Sequence, residues 1–370
     1  MYEYSWQLAL LSYSFYFVML IIASPYKNYL SRTRLVNQVY LNIFFFFYMI
    51  LNVFSFWEYD TYHSWEQFLL YGSDITGYEN IYHTIAEFVN GDYFLWRFLV
   101  WVPACLFIYL TARKLELLNN KFLVSIVLFG GFIGYTRGMI GFTMLIFGLV
   151  LLIDDNRVLK KLLGLCLIVG SYFFHKSMFV AILFSILALF PFKKNILTSL
   201  VFGFPLLAIF TTIFVLMFGD VLSSAGLSDG VGEAGENSVN SALSYERETR
   251  NTIGMLMKLF EVIPQYATLF YMAKLIYKEK ILNNVTHEKT YKYLFRFTFI
   301  GFYVASLFFF TDFSAWIYER FKHIAFFAMI FVFAAVIGNE NIHSKFMRNI
   351  VVLQLSVVFT TIILRISSNM

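Results

Sequence analysis

The sequence predicts an all-α, polytopic integral membrane protein of about twelve transmembrane helices, with the whole chain, 1–370, as a single transmembrane domain. Three observations predict it. Of the 370 residues, 59% are hydrophobic and 14% are charged, where soluble domains carry about 25% charged residues. Two soluble domains of this total length could not hide so much apolar surface from water. Apolar runs long enough to approach a bilayer's thickness recur along the chain, and backbone amides in lipid must bond within their own segment, so the runs are helices. The basic residues gather in alternate connections.

The spans fall at 5–23, 36–56, 94–112, 122–136, 138–153, 162–174, 176–190, 196–218, 253–276, 293–310, 321–338 and 349–366. The first run has no basic segment before it and no small-residue cleavage site after it, so it reads as a span and not as a signal peptide. Lys27, Arg32 and Arg34 follow it. Arg113, Lys114 and Lys121 follow the third span, Arg157, Lys160 and Lys161 the fifth, and Lys193 and Lys194 the seventh. Six more basic residues, from Lys274 to Arg296, surround the loop after the ninth span, and Lys345 and Arg348 follow the eleventh. Nineteen of the 28 Lys and Arg thus lie in six loops on one side. The positive-inside rule makes that side cytoplasmic and puts both termini outside. The net charge of +5 is this loop bias and not a basic patch, which argues against nucleic acid as a partner.

The outer side differs. Segment 57–93 is a first large loop, aromatic and partly helical, with seven Asp or Glu and no Lys or Arg. Segment 219–252 is a second, rich in Gly, Ser and Asn. Both exceed the ordinary length of a structureless connection, about 12–15 residues. Cys105 and Cys166 sit in separate spans without metal or redox spacing and read as packing residues. Glu58 and Asp60 read as a solvated acidic pair, and no metal or other cofactor is expected.

The candidate site begins with the arginine in "FGGFIGYTRGMIGFTMLIFGLVLL" and with His175–Lys176 in "GSYFFHKSMFVAILF". The chain descends through 138–153, turns at "DDNRVLKK" and climbs through 162–174, so Arg137 and His175 return to the same outer face. The flanking helices, read as 13 to 16 residues, cover only about 20–24 Å of a hydrocarbon core near 30 Å, which places both residues below the outer surface. Ionisable groups at that depth mark functional sites, the alternative being a snorkelling helix-end residue. Gly130, Gly131, Gly134, Gly138 and Gly141 permit irregular backbone and close approach around Arg137. Arg320, in "TDFSAWIYERFKHIAFF" where the eleventh span begins, also faces the outer mouth. Guanidinium groups at that level suit a diphosphate, whose oxygens they match in pairs. Lys176 either joins them or reaches the headgroups.

"GSDITGYENIY", "YTRGMIGFTMLIFGLVLL", "YFFHKSMFVAILFSIL" and "YERFKHIAFF" together resemble the EpsG-like branch of Wzy-type polysaccharide polymerases in order and spacing over roughly 70–190, and again near 320. Gly138 stands where that family usually has Gln after the Arg, and "FVNGDYFLW" replaces a Glu-Pro-Gly-Tyr-like element before the third span. The resemblance implies an enzyme of the bacterial cytoplasmic membrane. It would join oligosaccharide repeat units carried on polyprenyl diphosphate at the outer face, for a capsule, O-antigen or secreted polysaccharide. Donor and acceptor would both be lipid-linked, and a chain-length regulator and a flippase would be its partners. Such chemistry needs charge stabilisation for the departing diphosphate, expected from Arg137 with Arg320 and Lys176. It also needs a base for the acceptor hydroxyl: His175, or the carboxylates Asp74 and Glu319. Tyr78 would bind sugar, and it shares a face with Asp74 if that stretch is helical. A glycan ligase differs only in its acceptor. A flippase is the non-enzymatic rival, set against by the absence of an internal repeat.

Overall fold

The computed structural model describes residues 68–73, 79–118, 120–129, 136–176, 178–191, 252–309, 315–338 and 349–357, with isolated positions before them. Among these residues the regular elements are helices, with no strand. They are α1 (Asn80–Phe88), α2 (Tyr93–Lys114), α3 (Asn120–Phe129), α4 (Thr136–Asp154), α5 (Val158–Phe174), α6 (Met178–Leu187), α7 (Thr252–Ala273, running on into a π turn, Lys274–Lys278), α8 (Glu288–Phe309) and α9 (Ala315–Gly338). Helices α2 to α9 coincide with eight of the expected spans, and α1 is the helix expected within the first outer segment. Apart from isolated positions in the first two, the spans expected at 5–23, 36–56 and 196–218, and nearly all of loop 219–252, lie outside the described residues.

Among the described residues, α2 is the one helix that could cross a membrane by length and composition alone; it has 22 residues and a mean hydropathy of 1.7. Helices α4, α6 and α9 hold apolar stretches of 10–17 residues. The ends of several helices are polar or charged, as in Glu288–Lys292 of α8 and Val158–Lys161 of α5, and this shortens the apolar part.

Helix α4 is the centre. It packs against α2, α5, α6, α8 and α9, while α8 and α9 form a tight hairpin of their own. Backbone contact sets the α4–α5 crossing: a Cβ added at Gly148 would lie 2.7 Å from the Gly164 carbonyl oxygen, and the reverse holds for Gly164. Small residues let two helices meet this closely where lipid offers no hydrophobic drive to press them together. In the α8–α9 hairpin, Thr298 Oγ1 donates to the Ala325 carbonyl at 2.9 Å, and Gly301 faces Ala325. Ser125 of α3 bonds the Ile330 carbonyl of α9, and Phe122 stacks on Phe331.

The outer flanks of α5 and α6 turn Leu159, Leu163, Val169, Phe173, Phe179 and Ile186 outward, all exposed. Exposed apolar side chains spaced along both helices fit contact with lipid.

One end of the bundle is closed by ions. Lys114 at the end of α2 reaches Asp154 (3.2 Å) and Asp155 (3.1 Å), and Lys160 reaches Asp155 at 3.0 Å. His287 Nδ1 lies 2.6 Å from Asp154 Oδ1, and Thr290 Oγ1 donates to the same oxygen. Tyr291 of α8 donates its hydroxyl to the Leu115 carbonyl at 2.8 Å. This network ties α2, α4, α5 and α8 together at the end where the basic loops gather. Burial works against the charge on Lys114, but bonding to Asp155 and Asp154 outweighs it and raises the ammonium pKa above its ordinary value.

Two expectations shift. Helices α4 and α5 run 19 and 17 residues, longer than the sequence implied. They rise about 28 and 26 Å, close to the thickness of the hydrocarbon core. Thr136 and Arg137 are helical, as are the basic residues opening α5, because the backbone keeps its internal bonds past the apolar boundary. Helix shortness is therefore not what buries the site. Helix α9 begins at Ala315, so Arg320 lies in its second turn and not at its start.

Candidate active site

The end opposite the ion network holds the candidate residues. Helix α5 stops at Phe174 because His175 turns to extended backbone (φ −162°, ψ 121°), and the Met178 amide then bonds the His175 carbonyl to open α6. The imidazole is 5% exposed. Phe142 of α4 lies nearly parallel to it, with 6.3 Å between ring centres. His175 Nδ1 stands 3.2 Å from Glu79 Oε1, and the Lys176 backbone amide donates to that same oxygen at 3.3 Å. Burial pushes the Glu79 carboxyl up, but the bonds from His175 and Lys176 outweigh it and hold the carboxyl below its ordinary range. Its other oxygen, Oε2, is buried and takes no hydrogen bond from the described residues.

Local sequence builds the cover that brings Glu79 there. Phe68 packs on Tyr93 and Trp96, and the chain then turns at Gly72, whose positive φ of 61° closes a bond to the Phe68 carbonyl. Gly91, also left-handed at φ 75°, has backbone atoms of Gly72 and Ser73 within 3.2–3.3 Å of where a Cβ would stand. Asp92 caps α2 by accepting the Leu95 amide at 2.9 Å. Tyr82 of α1 is fully buried between Trp96 and Phe174, and Trp96 donates its indole N–H to the Tyr82 carbonyl. The Gly-Ser that opens "GSDITGYENIY" is thereby fixed at the head of α2, and the Glu within it stands at His175.

Arg137 occupies the first turn of α4, five residues or about 7.5 Å along the axis beyond Phe142, which lies against His175. Helix α9 runs antiparallel to α8, so the backbone of Glu319 and Arg320 lies at this same end. The hairpin thus returns Arg137 and His175 to one face, as the sequence predicts. The side chains of Arg137, Glu319 and Arg320, and all of Asp74 and Tyr78, lie outside the described residues. The Lys176 side chain is exposed, and its backbone amide is what meets Glu79.

Sequence reasoning did not single out two residues. Glu79 was visible inside "GSDITGYENIY", but nothing in spacing alone links it to a histidine 96 positions later. Arg97 is fully buried in α2, its guanidinium 5.7 Å from the Tyr93 ring centre and 5.9 Å from that of Trp101, with Nη1 3.3 Å from the Tyr93 hydroxyl. The four-residue series Tyr93, Arg97, Trp101 was the available signal, since these positions share a helix face. Lys322 of α9 is also buried.

Fold and site define an all-helical protein in which a carboxylate faces a buried histidine at one end of the bundle, where α4 begins with an arginine in its first turn. The chain belongs to the EpsG family, whose pattern matches residues 56–369. Membership makes it a membrane protein of the polysaccharide-polymerase type. No curated protein and no solved structure matches it.

Proposed function

We propose that the protein polymerises oligosaccharide repeat units carried on polyprenyl diphosphate, at the outer face of the bacterial cytoplasmic membrane. The observation that carries the reading is the buried His175, paired with Glu79 at the end of the bundle where α4 begins with Arg137 in its first turn. In this reaction a sugar hydroxyl of the acceptor unit attacks the anomeric carbon of the donor glycan. A new glycosidic C–O bond forms, and the bond to the diphosphate oxygen breaks. His175 takes the hydroxyl proton, and the polyprenyl diphosphate leaves as an anion. Arg137 and Arg320 stabilise the charge that develops on it, with Lys176 at the rim. Asp74 and Glu319 are the other candidates for the base, and Tyr78 for stacking on sugar. No metal enters the scheme, because arginine supplies the positive charge.

The test is polymer length in cells carrying Arg137→Ala or His175→Ala, with protein level in the membrane confirmed. Long chains should vanish while single repeat units still appear outside. Units retained on the cytoplasmic side would instead make the protein a flippase, and normal chains would make Arg137 an interfacial anchor.

A further inference from the structure

We propose that Glu79 is a positioning residue for His175: it holds the ring as the Nδ1–H tautomer, leaves Nε2 as the accepting base, and stabilises the imidazolium once a proton arrives. The inference rests on the reading of His175 as base.

Glu79 stands at the N-cap of α1, where an acidic side chain ordinarily accepts an amide of its own first turn. It makes no such bond. Its carboxylate is turned instead to the end of α5, nearly a hundred residues away in sequence. Two groups meet at Oε1. The Lys176 amide is one, and a backbone N–H can only donate. His175 Nδ1 faces the same oxygen at 3.2 Å as an ion-pair contact, and it is among the groups that hold the carboxyl down. An ionised carboxylate can only accept, so this contact favours the hydrogen on Nδ1. A neutral imidazole has one N–H, and Nε2 is then left with its lone pair. Phe142 against the ring face and 5% exposure keep the ring from turning over. When Nε2 takes a proton from a sugar hydroxyl, the ring gains a positive charge, and the Glu79 charge faces it across the Nδ1–H bond. The proton later passes to water, and the pair is restored.

The Lys176 amide also makes a clean test available. In Glu79→Gln the side-chain carbonyl must occupy the Oε1 place, because an NH₂ there would face the Lys176 N–H. The NH₂ falls where Oε2 accepts nothing from the described residues, so geometry survives and only charge is lost. Full-length protein in nanodiscs, labelled with ¹⁵N-histidine and assigned with His175→Asn, reports the tautomer near pH 8. Wild type and Glu79→Gln should both show protonated Nδ1 and bare Nε2, and Glu79→Ala should lose the preference. On lipid-linked repeat units, Glu79→Gln should lower kcat about 100-fold with KM within about twofold, and Glu79→Ala about 1000-fold, within the range of acid–base contributions. A wild-type ring protonated at Nε2, or full turnover in Glu79→Gln, would overturn the inference. If wild type joins no units at all, the polymerase reading fails, while the spectrum still decides whether Glu79 sets the tautomer.

Discussion

Gly148→Ala tests whether backbone contact between α4 and α5 carries the alignment of the site. An added Cβ falls 2.7 Å from Gly164 O and 3.0 Å from Ile168 Cγ1, where ordinary contact begins at 3.4 Å. A carbonyl oxygen cannot move without its helix, so the two axes must part by about 0.7 Å. Overpacking of that kind costs about 1–3 kcal/mol. Alanine's better helix propensity returns up to about 1 kcal/mol, leaving a net loss near 1–2 kcal/mol. Gly164→Ala should behave alike. Gly170→Ala is the control. Its Cβ would lie still closer to an atom, 2.6 Å, but that atom is the terminal methyl of Met144, which can swing aside. Its net effect should stay within about 0.5 kcal/mol. The assay is apparent melting of the purified protein in one detergent, at matched membrane levels, with polymer length scored in the same cells. Gly148→Ala should melt several degrees lower and shorten the polymer, because α4 carries Arg137 and α5 carries His175. Equal destabilisation by Gly170→Ala, or none by Gly148→Ala, would show that the close crossing does not set helix position.

Two further predictions concern the opposite end. Bonds from Lys160, the Arg157 amide and Lys114 hold the Asp155 carboxyl well below its ordinary range. A carboxyl depressed in the folded state contributes stability above the unfolded pKa, about 3.9, and loses it as pH falls through the folded value. Melting followed from about pH 6 down to pH 3 should therefore fall less steeply in Asp155→Asn than in wild type. Tyr291→Phe leaves the buried Leu115 carbonyl without its hydroxyl donor and should cost about 1 kcal/mol, read as a lower melting temperature with polymer length unchanged.

Much of the fold is legible in the chain. Composition and apolar runs place α2 and α4 to α9 within a few residues, because a helix in lipid must satisfy its backbone locally and shows this as a continuous apolar run. The ends of the runs mislead. Thr136–Arg137 and Ala315–Glu319 are helical though polar or mixed, since intrahelical bonds do not stop where hydrophobicity does. For the site, sequence order determines that Arg137 and His175 share a face, because one hairpin joins them and its parity settles which end each occupies. It also names "GSDITGYENIY" as a stretch of interest. It does not pair Glu79 with His175. That pairing depends on Gly91 admitting the Gly72 backbone, on Tyr82 seated between Trp96 and Phe174, and on where α5 breaks. Periodicity and charge bias are local quantities, and the sequence determines through them that this is a helical membrane protein with ionisable groups gathered at the end of the bundle away from its basic loops. Which carboxylate meets the histidine is a long-range matter of packing, and only the tertiary structure decides it.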